Sequence, residues 1–166
     1  PISIILSTTS VAIFSRSLRN SGRVETKRQL DSSSKFINDR LDSFLRETRV
    51  VSLTNSSNTY VRDDCLSGGN VNGNVLVIED LDKRQTVIQL SGGKVASVSG
   101  ASTIYLNPDE VTISNFSIRW QCTSGVSDKL SLQYTAAIGS TENDYGDTTG
   151  AKTYNFDVML LNTSRL

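Results

Sequence analysis

The chain has 166 residues, the usual size of one domain with a single hydrophobic core, so we expect no second independent core. Its 17 basic side chains balance 17 acidic ones, and this balance gives no indication of nucleic acid or of an acidic surface as a partner. The sequence has no histidine, which removes the commonest general base and the commonest metal ligand and argues against an enzyme.

The first predicted element is an apolar segment, residues 2–14, with the sequence ISIILSTTSVAIF and no charge. About 20 such residues are needed to cross a bilayer, so we interpret this segment as the second half of a longer hydrophobic helix. A buried core helix or the remnant of a signal peptide is the alternative. The apolar pattern continues directly into an amphipathic helix, which argues against a signal peptide.

A long amphipathic helix is predicted over residues 15–50. Its apolar face is formed by Leu30, Ile37, Leu41, Phe44, Leu45 and Thr48. One continuous helix from Ile2 to Thr48 would be about 70 Å long, which is more than a domain of this size can cover. The first half of such a helix must therefore be covered by a membrane or by other subunits.

Residues 16–28 are strongly basic, and the remainder of the chain is correspondingly acidic. The basic side chains, which are accompanied by the single acid Glu25, are Arg16, Arg19, Arg23, Lys27 and Arg28. Two interpretations stay open: a solvated helix face, or arginines that contact acidic patches of neighbouring subunits.

From Val50 onward, apolar and polar residues alternate, and this alternation predicts half-buried strands. The predicted strands are residues 59–62, 74–78, 86–90, 94–98, 103–106, 111–122, 129–138 and 153–161. The Gly92-Gly93 pair predicts a tight hairpin, because glycine tolerates positive φ at both central positions. One helix followed by a meander of strands predicts an α+β fold.

Two cysteines, Cys65 and Cys122, lie in or beside predicted strands. Two are too few for a structural zinc site, so they form either a disulfide or two buried thiols. The Ser-, Thr- and Asn-rich composition is typical of secreted proteins and favours the disulfide. Closing a loop of this length would stabilise the fold by about 4 kcal/mol in the chain-entropy model.

No motif for enzyme chemistry is present: the sequence lacks a phosphate-binding loop and a Rossmann fingerprint, and without histidine the usual triads are excluded. We therefore predict no catalytic residue, no cofactor and no metal. The acidic residues Asp63, Asp64, Asp80 and Asp82 are interpreted as turn residues, with a hydrolase that uses paired aspartates as the alternative. The acidic loop 142–147 is interpreted as a solvated loop, with a Ca²⁺ site as the alternative.

Three segments occur in a distinctive order. They are SRSLRNSGRVETKRQLDSSSKFINDRLDSFLRETRVVSL, then VLVIEDLDKRQTVIQLSGGKVASVSG, then STIYLNPDEVTISNFSIRWQC with LSLQYTAAIG and NFDVMLLN. In this order they resemble the helical spine, the central hairpin and the C-terminal strands of the type IV pilin and pseudopilin superfamily, in particular minor pilins and secretion pseudopilins. The family's Gly/Phe-Thr-Leu-Ile-Glu start motif does not occur here, so the resemblance implies that Pro1 is an interior residue of the mature spine.

The resemblance implies a pilin-like α+β fold, in which a long N-terminal helical spine packs on an antiparallel β-sheet. Residues 1–22 would be the hydrophobic spine in the membrane or filament core, and residues 23–166 the globular head. Within the head, residues 23–50 would form an amphipathic helix and residues 51–166 the antiparallel sheet.

The function that this resemblance implies is that of a structural subunit of an extracellular type IV pilus or pilus-like filament. The subunit would be inserted in the inner membrane before assembly, and its partners would be copies of itself or related pilins in a helical filament. The implied assembly residues are Ile2, Ile4, Ile5, Leu6, Val11, Ile13, Phe14 and Leu18. The alternative is a filament-tip or membrane-anchored adhesin that binds a ligand through loops near residues 68–73 and 141–150.

Overall fold

In the part of the chain that the structure describes, ten strands form two antiparallel sheets. The computed structural model describes residues 2–139 and 150–161, and for residues 2–20 and Arg23 it describes the backbone alone. The elements are α1 (Ile2–Leu45), β1 (Arg49–Thr54), β2 (Thr59–Tyr60), α2 (Arg62–Gly68), β3 (Asn70–Gly73), β4 (Val75–Glu79), β5 (Gln85–Ser91), β6 (Lys94–Ser99), β7 (Ser102–Tyr105), β8 (Val111–Gln121), β9 (Lys129–Ile138) and β10 (Gly150–Met159). Of the residues described with their side chains, 50% are in strands and 24% in helices, so the chain is mostly β.

The predicted fold class is therefore wrong. The sequence indicated an α+β, pilin-like fold with a long helical spine packed on an antiparallel sheet. The structure has instead a six-stranded sheet, in the order β2-β1-β4-β5-β6-β7, and a four-stranded sheet, in the order β10-β9-β8-β3. The error has a physical reason: alternation of apolar and polar residues identifies strands but not their partners, so one meander and two separate sheets share the same pattern.

The chain passes from the four-stranded sheet to the six-stranded sheet at Gly73. β3 pairs with β8 in one sheet, and β4, which follows directly, pairs with β1 in the other. A Cβ atom on Gly73 would lie 2.5 Å from the carbonyl oxygen of Thr54 and 2.8 Å from Cγ of Leu53. Only glycine therefore allows the two backbones to approach this closely. The amide of Asn74 then donates to the carbonyl of Thr54 at 2.9 Å and fixes the corner.

One continuous core joins the helices to both sheets. The inward side chains of β8 are all buried: Val111, Ile113, Phe116, Ile118 and Trp120. Their spacing changes at a β-bulge, where Asn115 has a φ of 51° and the register shifts between Ser114 and Ser117. The extra residue keeps the second half of the strand directed at the core.

The helix α1 ends at Leu45, before the predicted boundary at residue 50. The side chain of Thr48 donates to the carbonyl of Leu45 at 2.9 Å, and Arg49 then pairs with Glu79 of β4. The predicted apolar face is buried at Leu30, Ile37, Leu41, Leu45 and Thr48. Phe44 is the exception, since 38% of its surface is exposed.

Several local predictions are confirmed and three elements were missed. β9 has the predicted bounds, and the Gly92-Gly93 turn joins β5 to β6 with φ values of 57° and 75°. The sequence did not indicate β1 or β3 as separate strands, and it placed a strand and a turn where α2 forms. Of the missed elements, α2 and β3 lie where the chain crosses between the two sheets, and β1 follows α1 into the six-stranded sheet.

Candidate assembly surface

The first buried side chain along α1, among those that the structure describes, is Leu30, which is 3% exposed. Thr26, one turn earlier on the same side, is half-buried, and its Cγ2 lies 3.0 Å from the position that a Cβ on Gly150 of β10 would take. Val24, on the other side of the helix, is 67% exposed. From here on, the word head denotes the two sheets together with α2 and the part of α1 that they cover, residues 30–45.

The helix α1 is much longer than the strands that it packs against. Its 44 residues span about 66 Å at 1.5 Å per residue. The longest strand, β8, has 11 residues and spans about 36 Å. The sheets are therefore too short to cover α1 along its whole length.

Buried Tyr134 of β9 fixes α1 on the four-stranded sheet. Its hydroxyl donates to Oδ1 of Asn38 at 2.9 Å and lies 2.8 Å from the hydroxyl of Ser34. Burial raises the pKa of Tyr134, while the hydrogen bond from Ser34 acts in the opposite direction. The phenol therefore stays neutral and holds two successive turns of α1.

A second contact, at the exposed rim, joins α1 to β10. Oδ1 of Asp31 accepts hydrogen bonds from Nζ of Lys152 at 2.6 Å and from the hydroxyl of Tyr154 at 2.8 Å. These two hydrogen bonds hold the pKa of Asp31 below its usual range. Burial, followed by the hydrogen bond to Asp31, raises the pKa of Tyr154. Together with Tyr134, this cluster fixes the direction of α1 relative to the four-stranded sheet.

The two cysteines tie α2 to the end of β8. The sulfur atoms of Cys65 and Cys122 lie 1.98 Å apart, at disulfide distance, and their Cα atoms are 5.6 Å apart. Both residues are buried, and the sulfur of Cys65 lies within reach of the carbonyl of Trp120. The link therefore closes the side of the core that faces α2.

Buried Asp128 lies beside this link. Its Oδ2 accepts a hydrogen bond from the indole of Trp120 at 3.1 Å, and its Oδ1 lies 3.6 Å from the guanidinium of Arg62 in α2. Burial raises the pKa of Asp128, and the indole and the guanidinium act against this shift. These partners give the buried carboxylate a structural role in holding α2 on the sheet.

An open groove of about 420 Å³ lies where the end of α1 meets the β4–β5 turn. Two apolar side chains stand at its sides, and both are exposed to solvent: Phe44 at 38% and Leu81 at 75%. Three acidic residues complete the rim: Glu47, Asp80 and Asp82. The groove thus combines an apolar lining with negative charge, and we call it the acidic groove.

The outer face of the four-stranded sheet carries a shallow polar depression of about 330 Å³. Its side chains are paired: Arg119 with Asn72 at 3.2 Å, Gln133 with Asn155 at 3.0 Å, and Asp157 with Lys129, which lies beside the depression, at 2.8 Å. No aromatic side chain lines it among the residues that the structure describes. A concave aromatic cluster, which would favour the adhesin alternative, is therefore not found at this depression.

The predicted assembly residues all lie on α1, in the stretch for which the backbone alone is described. The acidic loop 142–147 and most of the second predicted adhesin loop lie outside the described residues. Asp64 accepts the amide of Val61 at the start of α2, and Asp80 accepts the amides of Asp82 and Arg84 in the β4–β5 turn. These two aspartates act as local caps, as turn residues do.

Within residues 2–139 and 150–161, no group of three or more potential metal ligands comes together. Over the same part of the chain, no helix combines the length and the apolar character that crossing a membrane requires.

The acidic groove was missed by the sequence analysis. Phe44 was assigned to the core because its spacing fits the apolar face of α1, and Leu81 lies in a turn between two strands. A signal was present in Asp80-Leu81-Asp82, where an apolar residue is flanked by two acids in a turn. Such a residue has no strand face to direct it into the core.

Comparison with known proteins finds no matching family model, no matching curated protein and no matching solved structure. The resemblance to pilins and pseudopilins therefore stays a prediction from the sequence.

Proposed function

We propose that this chain is a structural subunit of an extracellular pilus-like filament, and that it assembles with copies of itself or related chains through the N-terminal half of α1. The observation that carries the proposal is the length of α1. The head buries one side of α1 from Leu30 to Leu45, and the helix begins 28 residues before Leu30, at Ile2.

The composition of the remaining helix supports this assignment. Residues 2–14 carry no charge, so this stretch gains free energy when its apolar surface leaves water, at roughly 25 cal/mol per Å². The α1 helices of neighbouring copies bury this apolar surface when they pack side by side. A contact between different surfaces of successive copies does not close on itself and produces an open helical polymer.

The fixed attachment of α1 to the head also suits a polymer subunit. Tyr134 holds Ser34 and Asn38, and Asp31 holds Lys152, so the helix keeps one direction relative to the sheets. Copies that pack through α1 would then present their heads in one repeated orientation. The buried cysteine pair agrees with an oxidising, extracellular setting.

The proposal is tested by following self-association of the full chain as detergent is removed. Sedimentation velocity and negative-stain electron microscopy should show elongated polymers of the unmodified chain. A Phe14→Asp/Leu18→Asp variant should remain monomeric, because two charges would have to be buried between helices. A Thr123→Asp/Ser124→Asp variant, which adds the same charge to an exposed turn of the head, is the control and should polymerise.

Thermal unfolding of the head should be the same in all three proteins. The proposal is contradicted if the unmodified chain stays monomeric, or if the Phe14→Asp/Leu18→Asp variant polymerises as well as the control.

A further inference from the structure

We propose that the acidic groove of one copy receives the basic stretch, residues 16–28, of α1 from a second copy. This inference rests on the proposed function and specifies which surfaces meet in the polymer. The groove beside the C-terminal end of α1 would then bind the N-terminal part of α1 from the next copy.

The groove has an apolar lining that is left open in the single chain. Leu81 lies at the tip of the β4–β5 turn, and Phe44 projects from the last turn of α1 rather than into the core. Between them the groove reaches down to Ile78, which belongs to the core. An occupant that brings apolar atoms would therefore extend the core outward.

The charge of the groove selects the kind of occupant. Glu47, Asp80 and Asp82 are acidic, and among the described residues that line the groove none is basic. Arg84 pairs with Asp82 from outside the groove at 2.8 Å, but 70% of the Asp82 side chain remains exposed. A cationic segment with apolar neighbours is the complementary ligand.

The basic stretch of α1 has this character. Arg19, Arg23 and Lys27 follow one another at intervals of four residues, so they lie along one side of the helix over about 12 Å. Like charges at this spacing destabilise a helix by a few tenths of a kcal/mol per pair, so the stretch gains from an acidic partner. Exposed Val24 lies next to Arg23 in the sequence and supplies apolar surface.

The distribution of charge along the chain identifies the partner as a second copy. Residues 1–28 carry five basic and one acidic side chain, whereas residues 29–166 carry 12 basic and 16 acidic ones. The two parts thus have net charges of +4 and −4, so the basic part of one copy is attracted to the acidic part of another.

The proposed contact is heterologous, since the groove and the basic stretch are different surfaces. It therefore leaves one free groove and one free helix at the ends of every chain of copies, and growth continues. The groove residue Glu47 lies 24 residues after Arg23. For parallel helices, contacting copies would be displaced along the helix axis by about 36 Å.

A charge-swap experiment on the full chain tests this contact. The groove variant is Glu47→Lys/Asp82→Lys, and the helix variant is Arg19→Glu/Arg23→Glu. Asp80 is left unchanged because its carboxylate accepts two backbone amides of the turn. The control is Asp63→Lys/Glu110→Lys, which replaces two acids by lysines, as the groove variant does, at exposed positions outside the groove.

Each variant alone should raise the critical concentration for polymerisation by at least about tenfold, while the control should not change it. An equal mixture of the groove and helix variants should polymerise near the unmodified concentration, because each reversed groove then meets a reversed helix. Added salt should weaken assembly of the unmodified chain.

The outcomes separate this inference from the proposed function. If the unmodified chain polymerises and the two variants match the control, the groove does not receive the basic stretch and the inference fails alone. If both variants are impaired but their mixture is not restored, the two surfaces do not contact each other, and the inference also fails. If the unmodified chain does not polymerise, the proposed function fails together with the inference.

Discussion

Tyr134 and Ser34 are 100 residues apart in the sequence, yet their hydroxyl oxygens lie 2.8 Å apart in the core. This contact joins the middle of α1 to β9, and the same phenol donates to Asn38 one turn further along the helix. The rotation of α1 on the sheet is therefore fixed by a polar contact within an apolar surrounding. That geometry determines the direction of α1 relative to the sheets.

Replacing Tyr134 by Phe removes this contact and keeps the ring. We expect the free energy of unfolding to fall by about 1–3 kcal/mol, because buried Ser34 and half-buried Asn38 lose a partner. Chemical denaturation of the full chain measures the change. Tyr105→Phe, at an exposed position on β7, is the matched control and should leave the midpoint unchanged. Equal midpoints for both variants would show that Tyr134 contributes packing alone.

The contact of Asp31 with Lys152 predicts a specific dependence of stability on pH. The pKa of Asp31 is lowered in the folded chain, so its contribution is present above the usual aspartate value of about 3.9 and is lost as the pH falls through the folded value. The free energy of unfolding of the unmodified chain should therefore fall more steeply in this acid range than that of Asp31→Asn. Asp39→Asn, on an exposed part of α1, is the control. Parallel curves for Asp31→Asn and the unmodified chain would contradict this account.

The contact of Arg62 with Asp128 predicts a dependence of stability on pH that is opposite to that of Asp31. Burial raises the pKa of Asp128, and the guanidinium of Arg62 limits that rise. In Arg62→Gln the pKa of Asp128 should rise further, and the fold should lose about 1–3 kcal/mol at neutral pH, where the carboxylate must ionise with less compensation. Below the unfolded pKa the carboxyl is protonated in both states, so this loss should disappear.

Denaturation of Arg62→Gln at neutral and at acid pH measures the two values. Arg84→Gln removes an exposed ion pair with Asp82 and should cost about 0.5 kcal/mol or less at either pH. A loss in Arg62→Gln that is the same at both pH values would mean that Arg62 acts by packing rather than by its charge.

The corner at Gly73 predicts a steric effect. In Gly73→Ala the new methyl group would press against the carbonyl of Thr54, and moving β1 away from β3 should cost about 1–3 kcal/mol. Gly68→Ala is the matched control, since nothing lies within 4 Å of a Cβ at that position. Thermal unfolding should show a lower midpoint for Gly73→Ala than for Gly68→Ala. The reverse order would show that the two sheets do not meet at this residue.

The features that the sequence predicted are those with a local cause. The amphipathic part of α1 and the strand β9 show their periodicity within a few turns or residues, and the hairpin at Gly92-Gly93 follows from backbone freedom at two positions. The short helix α2 gave no such signal, because its single buried side chain is Cys65. The sequence could indicate that this cysteine is buried, but not that it lies on a helix.

The features that the sequence did not predict depend on contacts between distant residues. The division into two sheets depends on the approach of Gly73 to Thr54, which no alternation of residue types records. The acidic groove depends on Phe44 turning away from the core toward Leu81. The direction of α1 depends on Asp31 reaching Lys152, 121 residues later.

Contact of the N-terminal half of α1 with neighbouring copies is the central claim, and cysteine cross-linking tests it most directly. Val11→Cys adds one thiol to a chain whose own two cysteines lie at disulfide distance from each other. A thiol-reactive photo-cross-linker attached to Val11→Cys and irradiated in the assembled protein should give covalent dimers on gel electrophoresis, well above the level of Ser124→Cys, in an exposed turn of the head. Assembled Val11→Cys that yields no more dimer than Ser124→Cys would contradict the claim.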